Sequence, residues 1–211
     1  MKRFKLVAPI LGVALVIALS SPAFAATALT LNSEAKGAVG PQSTSNPCII
    51  AATMCQQPAG MAFNNFVSSG NISSYDESMT YTVATLRQFV GNVFWVAIDV
   101  NTTTAEGETL QLFEVRVNGV LQYFYNGPTV IGGVNNNGNG FADWTLRTVN
   151  LSAFAPGDTV VFRAVWNNAS DGGESYFLVP QSVPTVPEPT SLLLLGVGLA
   201  SIGFLKRKIV R

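Results

Sequence analysis

Histidine is absent from all 211 residues of the chain. That removes Ser-His and Cys-His nucleophilic catalysis and every His-ligated metal centre. A Ser-Lys dyad needs a buried lysine, and between residues 26 and 186 there is only Lys36, set among small residues. Carboxylates are the remaining source of reactivity, since a facing pair can hydrolyse glycosides. Glu106 and Glu108 flank Gly107, a turn arrangement that leaves both in solvent, and no strand-like run carries a Glu-x-Asp-x-x-Glu pattern. The chain is therefore read as a non-enzyme.

Oxygen donors suited to calcium occur in two patterns. Asn135 to Gly140 places amide side chains at the first, third and fifth positions and glycine at the sixth, as an EF-hand-type loop does, but Leu146 stands twelfth where a bidentate glutamate is required. The second pattern gathers Asp143, Asp158, Asp171 and Glu174 from separate turns. The competing reading of both is solvated turn residues, with Asn and Gly supplying left-handed backbone. No cofactor is implied, and calcium is the one candidate ion. Four Asn-x-Ser/Thr triplets, at Asn71, Asn101, Asn150 and Asn168, match a glycosylation pattern that also arises by chance in Asn- and Thr-rich chains.

Sugar recognition would draw on aromatic rings, which stack on pyranose faces while polar neighbours fix orientation. The candidates are Trp95, Tyr123 and Tyr125, with Glu114 and Arg116 beside the tyrosines. Cys48 and Cys55 flank six residues, and in an exported chain they are expected to form a local disulfide.

The elements that must position these groups are strands. Thr80 to Leu86, Val93 to Val100, Thr109 to Val117, Val120 to Tyr125, Trp144 to Leu151, Thr159 to Trp166 and Tyr176 to Val179 are short runs rich in Val, Thr and aromatics. Turn signals separate them, including Asn118-Gly119, Asn126-Gly127-Pro128 and Pro156-Gly157-Asp158. No window shows a competing helical period. Asn118-Gly119 suits a two-residue type I′ hairpin turn. That register sets Val117 against Val120, Val115 against Gln122 and Phe113 against Phe124, with Tyr123 and Tyr125 on the opposite, outer face beside Glu114 and Arg116. Trp95 alternates with Phe94, Val96, Ile98 and Val100 and is likewise expected to point outward. The fold class is all-β, an antiparallel β-sandwich of jelly-roll type, followed by a C-terminal transmembrane-type helix.

Both ends are export signals. Lys2, Arg3 and Lys5 precede an apolar run from Leu6 to Leu19 and the small-residue site Ala23-Phe24-Ala25, the layout of a cleavable signal peptide over 1–25. At the other end Leu192 to Leu205 is 14 uncharged residues, about 21 Å of helix against a hydrocarbon core of roughly 30 Å. Lys206, Arg207 and Lys208 follow it and hold that end on the cytoplasmic side. The overall charge balance of 12 basic and 12 acidic residues is misleading, because seven of the cations lie in these two signals. Residues 26 to 186 carry five basic and 11 acidic side chains, net −6, and so lack the basic patch that a nucleic-acid binder needs. The organisation is thus 1–25 signal peptide, 26–47 flexible lead-in or edge strand, 48–185 β-sandwich and 186–211 sorting signal.

Val186-Pro187-Glu188-Pro189-Thr190-Ser191, the Leu/Gly/Ala helix and the basic cluster together resemble the PEP-CTERM sorting domain of Gram-negative bacteria. The resemblance implies an exosortase substrate processed at Val186, Pro187, Glu188 and Pro189. It implies passage through the secretion machinery and signal peptidase, transient anchoring in the inner membrane, and a final place at the cell surface or in the extracellular matrix. It further implies a non-catalytic structural or adhesive role linked to exopolysaccharide and biofilm, the alternative being a lectin-like module using the outer-face aromatics. Residues 143 to 179, with Trp144, Asn150-Leu151-Ser152, Gly157-Asp158 and Val161-Phe162-Arg163, resemble the later strands of galactose-binding-like jelly rolls, which bears on the fold.

Overall fold

A computed structural model describes residues 25–51, 55–65, 75–101, 108–133, 138–169 and 173–181. The expected signal peptide, apart from Ala25, and the expected sorting signal with its apolar helix lie outside the described residues. Among the described residues no helix is long and apolar enough to cross a membrane.

The described strands are β1 (Thr27–Ala28), β2 (Thr30–Ser33), β3 (Cys48–Ala51), β4 (Asn64–Asn65), β5 (Tyr75–Glu77), β6 (Tyr81–Thr82), β7 (Val93–Asp99), β8 (Glu108–Val117), β9 (Val120–Ile131), β10 (Trp144–Asn150), β11 (Thr159–Asn167) and β12 (Ser175–Pro180). One sheet runs β1-β9-β8-β11-β5, with β6 also paired to β11; the other runs β2-β10-β7-β12-β3-β4. Both sheets are mixed, which corrects the purely antiparallel expectation. β1 lies parallel to β9 and β3 parallel to β4. At the first of these edges one extended segment serves both sheets. Only Leu29 separates β1 from β2, so the direction of β1 is fixed once β2 pairs antiparallel with β10.

The sheets face each other across one core. Alternation along β7 sends Phe94, Val96 and Ile98 inward, where they meet Phe113 and Val115 of β8, Phe162 and Trp166 of β11, and Tyr176 of β12. Phe113 stacks on Tyr176 with centroids 5.3 Å apart, and Phe94 meets Phe162 edge-on at 6.3 Å. Contacts of this kind add about 0.5–1.5 kcal/mol each beyond area burial. This β-rich, two-sheet arrangement is consistent with the jelly-roll resemblance of the later strands.

A smaller apolar cluster covers the outer face of the second sheet, where Ala97 and Phe177 pack with Val39, Cys48, Ala51 and Ala142. Cys48 and Cys55 form the expected disulfide, with Cα atoms 6.5 Å apart. It ties β3 to the segment that crosses this outer face.

Three local expectations are corrected. The run from Thr80 continues not as a strand but as helix α1 (Val83–Val90). The Thr82 hydroxyl caps it by accepting from the Thr85 N–H at 3.1 Å, Gly91 closes it at φ 75°, and Val83, Leu86 and Val90 are buried at helical spacing. Asn126-Gly127-Pro128 is not a strand end, because β9 runs through it to Ile131 and the ladder opposite shifts register between Leu110 and Leu112. Such a local bulge absorbs residues that would otherwise end a ladder.

The third correction concerns the hairpin. Asn118 (φ 51°) and Gly119 (φ 77°) make the expected turn and Val117 pairs with Val120. A register shift then falls between Val115 and Arg116, so that Val115 pairs with Tyr123 and Phe113 with Tyr125. One extra residue in β9 inverts the side chains from Tyr123 to the second shift opposite Leu110 and Leu112. Tyr123 and Tyr125 therefore pack against the inner core, not on the outer face.

Candidate functional site

The aromatic candidates are already engaged. The Tyr123 hydroxyl donates to the Asn150 carbonyl, and the Tyr125 hydroxyl bonds Thr129 Oγ1. Trp95 does point away from the main core, but the Arg147 guanidinium lies 3.9 Å over its ring. Arg147 also pairs with Glu34, a largely buried carboxylate that accepts from the Thr145 hydroxyl as well. The pyranose-stacking face of Trp95 is thus occupied by a cation that has its own partner.

Glu114 and Arg116 belong to a self-satisfied ion network on the outer face of the first sheet. Arg116 Nε reaches Glu114 Oε2 at 2.8 Å and its Nη2 reaches Oε1 at 3.2 Å. Arg163 adds a 3.4 Å contact to Glu114 and one of 3.5 Å to Glu77, while its guanidinium covers Tyr75. The hydrogen bond from Arg116 holds the Glu114 carboxyl below the ordinary glutamate range. Arg116 is matched by Glu114 two residues away on the same strand, and Arg163 by its cross-strand neighbours Glu114 and Glu77.

The calcium candidates divide by place. Asp158 sits at the hairpin end, accepting from the Asn118 amide at 2.9 Å and from the Ala155 N–H at 2.7 Å. It acts there as a turn residue, and these hydrogen bonds lower its pKa. Asp171 lies outside the described residues. Asp143 and Glu174 are both fully buried at the opposite end of the sandwich. Leu146, twelfth from Asn135, is in the main core, so the EF-hand geometry does not form. Residues 135–137 of that loop lie outside the described residues.

That end holds Asp99, which sequence reasoning missed, and Glu108, which was expected in a solvated turn but is fully buried because it opens β8 on its inward-facing alternation with Leu110. Asp99 and Ser175 are cross-strand partners at the ends of β7 and β12. Asp99 follows Trp95 and Ala97 in facing away from the main core, and its Oδ2 accepts from Gln42 Nε2 and from the Gly140 N–H, both at 2.9 Å. Its Oδ1 has no partner. Burial, reinforced by the Asp143 carboxylate, raises the Asp99 pKa to about 7 against the pull of the Gly140 hydrogen bond. Asp143 Oδ2 accepts from the Val100 N–H at 2.8 Å.

On the other side of the same sheet Glu174 lies beside Glu108 of the first sheet, and its Oε2 accepts from the Asn101 N–H. Burial, with the Glu108 carboxyl beside it, pushes the Glu174 pKa well up.

Above Asp99 opens a cleft of about 330 Å³, lined by Pro41, Gln42, Cys55, Gln56, Asp99, Asn101, Gly138, Asn139, Gly140 and Ser175. Among the described residues the lining is rich in amides, with one hydroxyl and one carboxylate, and includes no basic side chain. Gly138 is required where it stands: its φ is 59°, and a Cβ would come within 2.6 Å of Asn101 Oδ1. The disulfide holds Cys55 in the wall. A cleft of this kind can bind a neutral polyhydroxylated ligand or a cation, and it repels an anion.

Residues 185–208 match the family model of the PEP-CTERM protein-sorting motif. No curated protein and no solved structure matches the chain. The motif implies an exported protein that an exosortase processes after transient membrane anchoring.

Proposed function

We propose that this chain is a non-catalytic structural or adhesive protein of an exopolysaccharide layer, delivered by the secretory route and released or retained through exosortase processing of its tail. The observation that carries the matrix role is the polar cleft at Asp99. Its amides and the Ser175 hydroxyl offer the donors and acceptors that sugar hydroxyls require, and its lack of cationic side chains favours neutral over uronic or phosphorylated polysaccharide. The exported part is strongly acidic, which likewise favours neutral chains. Lectin-like binding through aromatics loses its support, because Trp95 is covered by Arg147 and the two tyrosines are turned inward. Contact with polysaccharide is assigned to the cleft instead.

The experiment is affinity electrophoresis of the exported chain through gels containing exopolysaccharide of the producing organism. Wild type is retarded, and Asn139→Trp, which fills the cleft from an exposed loop position, is not. Equal retardation of the two, or free migration of the wild type, overturns the proposal.

A further inference from the structure

We propose that Asn139 converts itself to aspartate and isoaspartate, with the Asp99 carboxylate as general base and the Phe141 N–H as the donor that steadies the developing oxyanion. In an Asn-Gly pair the glycine nitrogen can close a five-membered ring on the asparagine Cγ, and the missing Cβ eases its approach. Four such pairs occur in the chain, at Asn118, Asn126, Asn137 and Asn139. The step is limited by the amide nitrogen, which becomes a nucleophile only as its proton is drawn off. At Asn139 that proton already meets a base. The Gly140 N–H donates to Asp99 Oδ2 at 2.9 Å, within the reach that general-base catalysis requires. The carbonyl under attack is polarised as well, because Asn139 Oδ1 accepts from the Phe141 N–H at 3.0 Å.

The Gly140 nitrogen bonds to Asn139 Cγ as its proton passes to Asp99 Oδ2. The Cγ–Nδ2 bond then breaks, and the departing amine takes a proton back by way of solvent and leaves as ammonia. Water adds to either carbonyl of the resulting succinimide, opening it to aspartate or, with one more backbone atom, to isoaspartate. Nothing is oxidised or reduced, and water is the only co-reactant. Asn139 is exposed and lines the open cleft, so water reaches it. Asn118 is the contrast within the same chain. Its Oδ1 is drawn across to β11, accepting from the Thr159 N–H at 2.9 Å, and its Nδ2 donates to Asp158 Oδ1. There the carboxylate holds the leaving group in place. Gly138 donates to the neutral Val100 carbonyl at 3.3 Å. The product sets a second carboxylate at the mouth of the cleft that holds Asp99. The step needs no ligand and so stands apart from the polysaccharide reading.

The test is incubation of the full exported chain from pH 5 to 9, with peptide mapping by mass spectrometry that separates asparagine, aspartate and isoaspartate at each site. Asn139 should convert about 10²-fold faster than Asn118, the lower end of what a positioned general base supplies. Asp99→Asn should remove at least about tenfold of that rate. The pH profile decides the matter if that variant folds poorly. Buried Asp99, raised by the Asp143 carboxylate and sensed by Glu174 across the sheet, ionises at about 7. Conversion of Asn139 in the wild type should therefore rise through that pH and level off, whereas conversion of Asn118 should go on rising with hydroxide. Conversion of Asn139 no faster than that of Asn118, an undiminished rate in a folded Asp99→Asn, or a profile that rises in parallel with that of Asn118 overturns the proposal. Retardation by polysaccharide is a separate readout, so failure of either idea leaves the other visible.

Discussion

Replacing Asp99 by asparagine should make the protein more stable at pH 8 and no better at pH 4. In the folded chain the Asp99 carboxyl titrates at about 7, against 3.8 for an unperturbed side chain. Its folded pKa is raised, so between these values the folded state holds a proton that the unfolded state has released. Stability then falls as pH rises through this window and levels off above it. A separation of about three pH units corresponds to about 4 kcal/mol. Asparagine keeps one oxygen to accept from Gly140 or Gln42 but never ionises. Losing the other hydrogen bond costs about 1 kcal/mol at low pH, so the two stability curves should cross at roughly pH 4.5. The assay is urea unfolding of the oxidised exported chain in EDTA from pH 4 to 8, with midpoints and slopes fitted together. Subtracting the two profiles removes most of the contribution of the Glu108–Glu174 pair, which both proteins retain. Parallel profiles, differing by less than about 1 kcal/mol across the range, would refute the claim that Asp99 is ionised at a cost.

Two further outcomes follow from the packing. Cys48→Ser with Cys55→Ser should lower stability by about 2 to 3 kcal/mol, the loop-closure value for so short a ring, and should loosen the cleft wall; urea midpoints with and without reductant would agree for the variant and differ for the wild type. Arg147→Ala should cost about 1–3 kcal/mol, because it leaves the buried Glu34 carboxylate without its cation and uncovers the Trp95 ring. Arg147→Lys should restore only part of this, since an ammonium lacks the planar stacking surface, and indole fluorescence together with thermal unfolding would show both effects.

The strands and the tail were legible in the sequence because each rests on a local pattern. Alternation marked β7, β8, β10, β11 and β12 nearly to their ends, and Asn118-Gly119 marked its turn, since few residues other than Asn and Gly accept two successive positive φ values. The short helix was hidden for a local reason too. Tyr81 and Val83 alternate as a strand would, and the capping Thr82 and the terminating Gly91 become signals only once Val83, Leu86 and Val90 are counted at helical spacing. The cleft was less legible because it is made by approach. Asp99 reads as the outward, solvated end of an alternating strand, and only the passage of residues 39 to 42 and 138 to 142 over that edge buries it. Nothing local records that crossing, although an odd-position carboxylate in the register of Trp95 and Ala97 was the available signal.

The two outward assignments, Trp95 and the tyrosine pair, show where such reasoning holds. In β7 the inner face is declared by the strand itself, because Phe94, Val96 and Ile98 can only face a core, and Trp95 follows as outward. In β9 the face was imported from β8 through the turn, and the residues Val120 to Tyr125 are too uniformly apolar to protest. One inserted residue near Gln122 therefore inverted Tyr123 and Tyr125 without breaking any pattern in the strand's own composition. Inward placement also suits their chemistry better: a tyrosine at a core margin buries its ring and keeps its hydroxyl for a carbonyl or a threonine, as at Asn150 and Thr129. Face assignments carried across a hairpin thus depend on the bulge count, whereas those read within one strand depend only on its own alternation. The cleft residue Asp99, placed by the alternation of β7 alone, belongs to the sturdier kind.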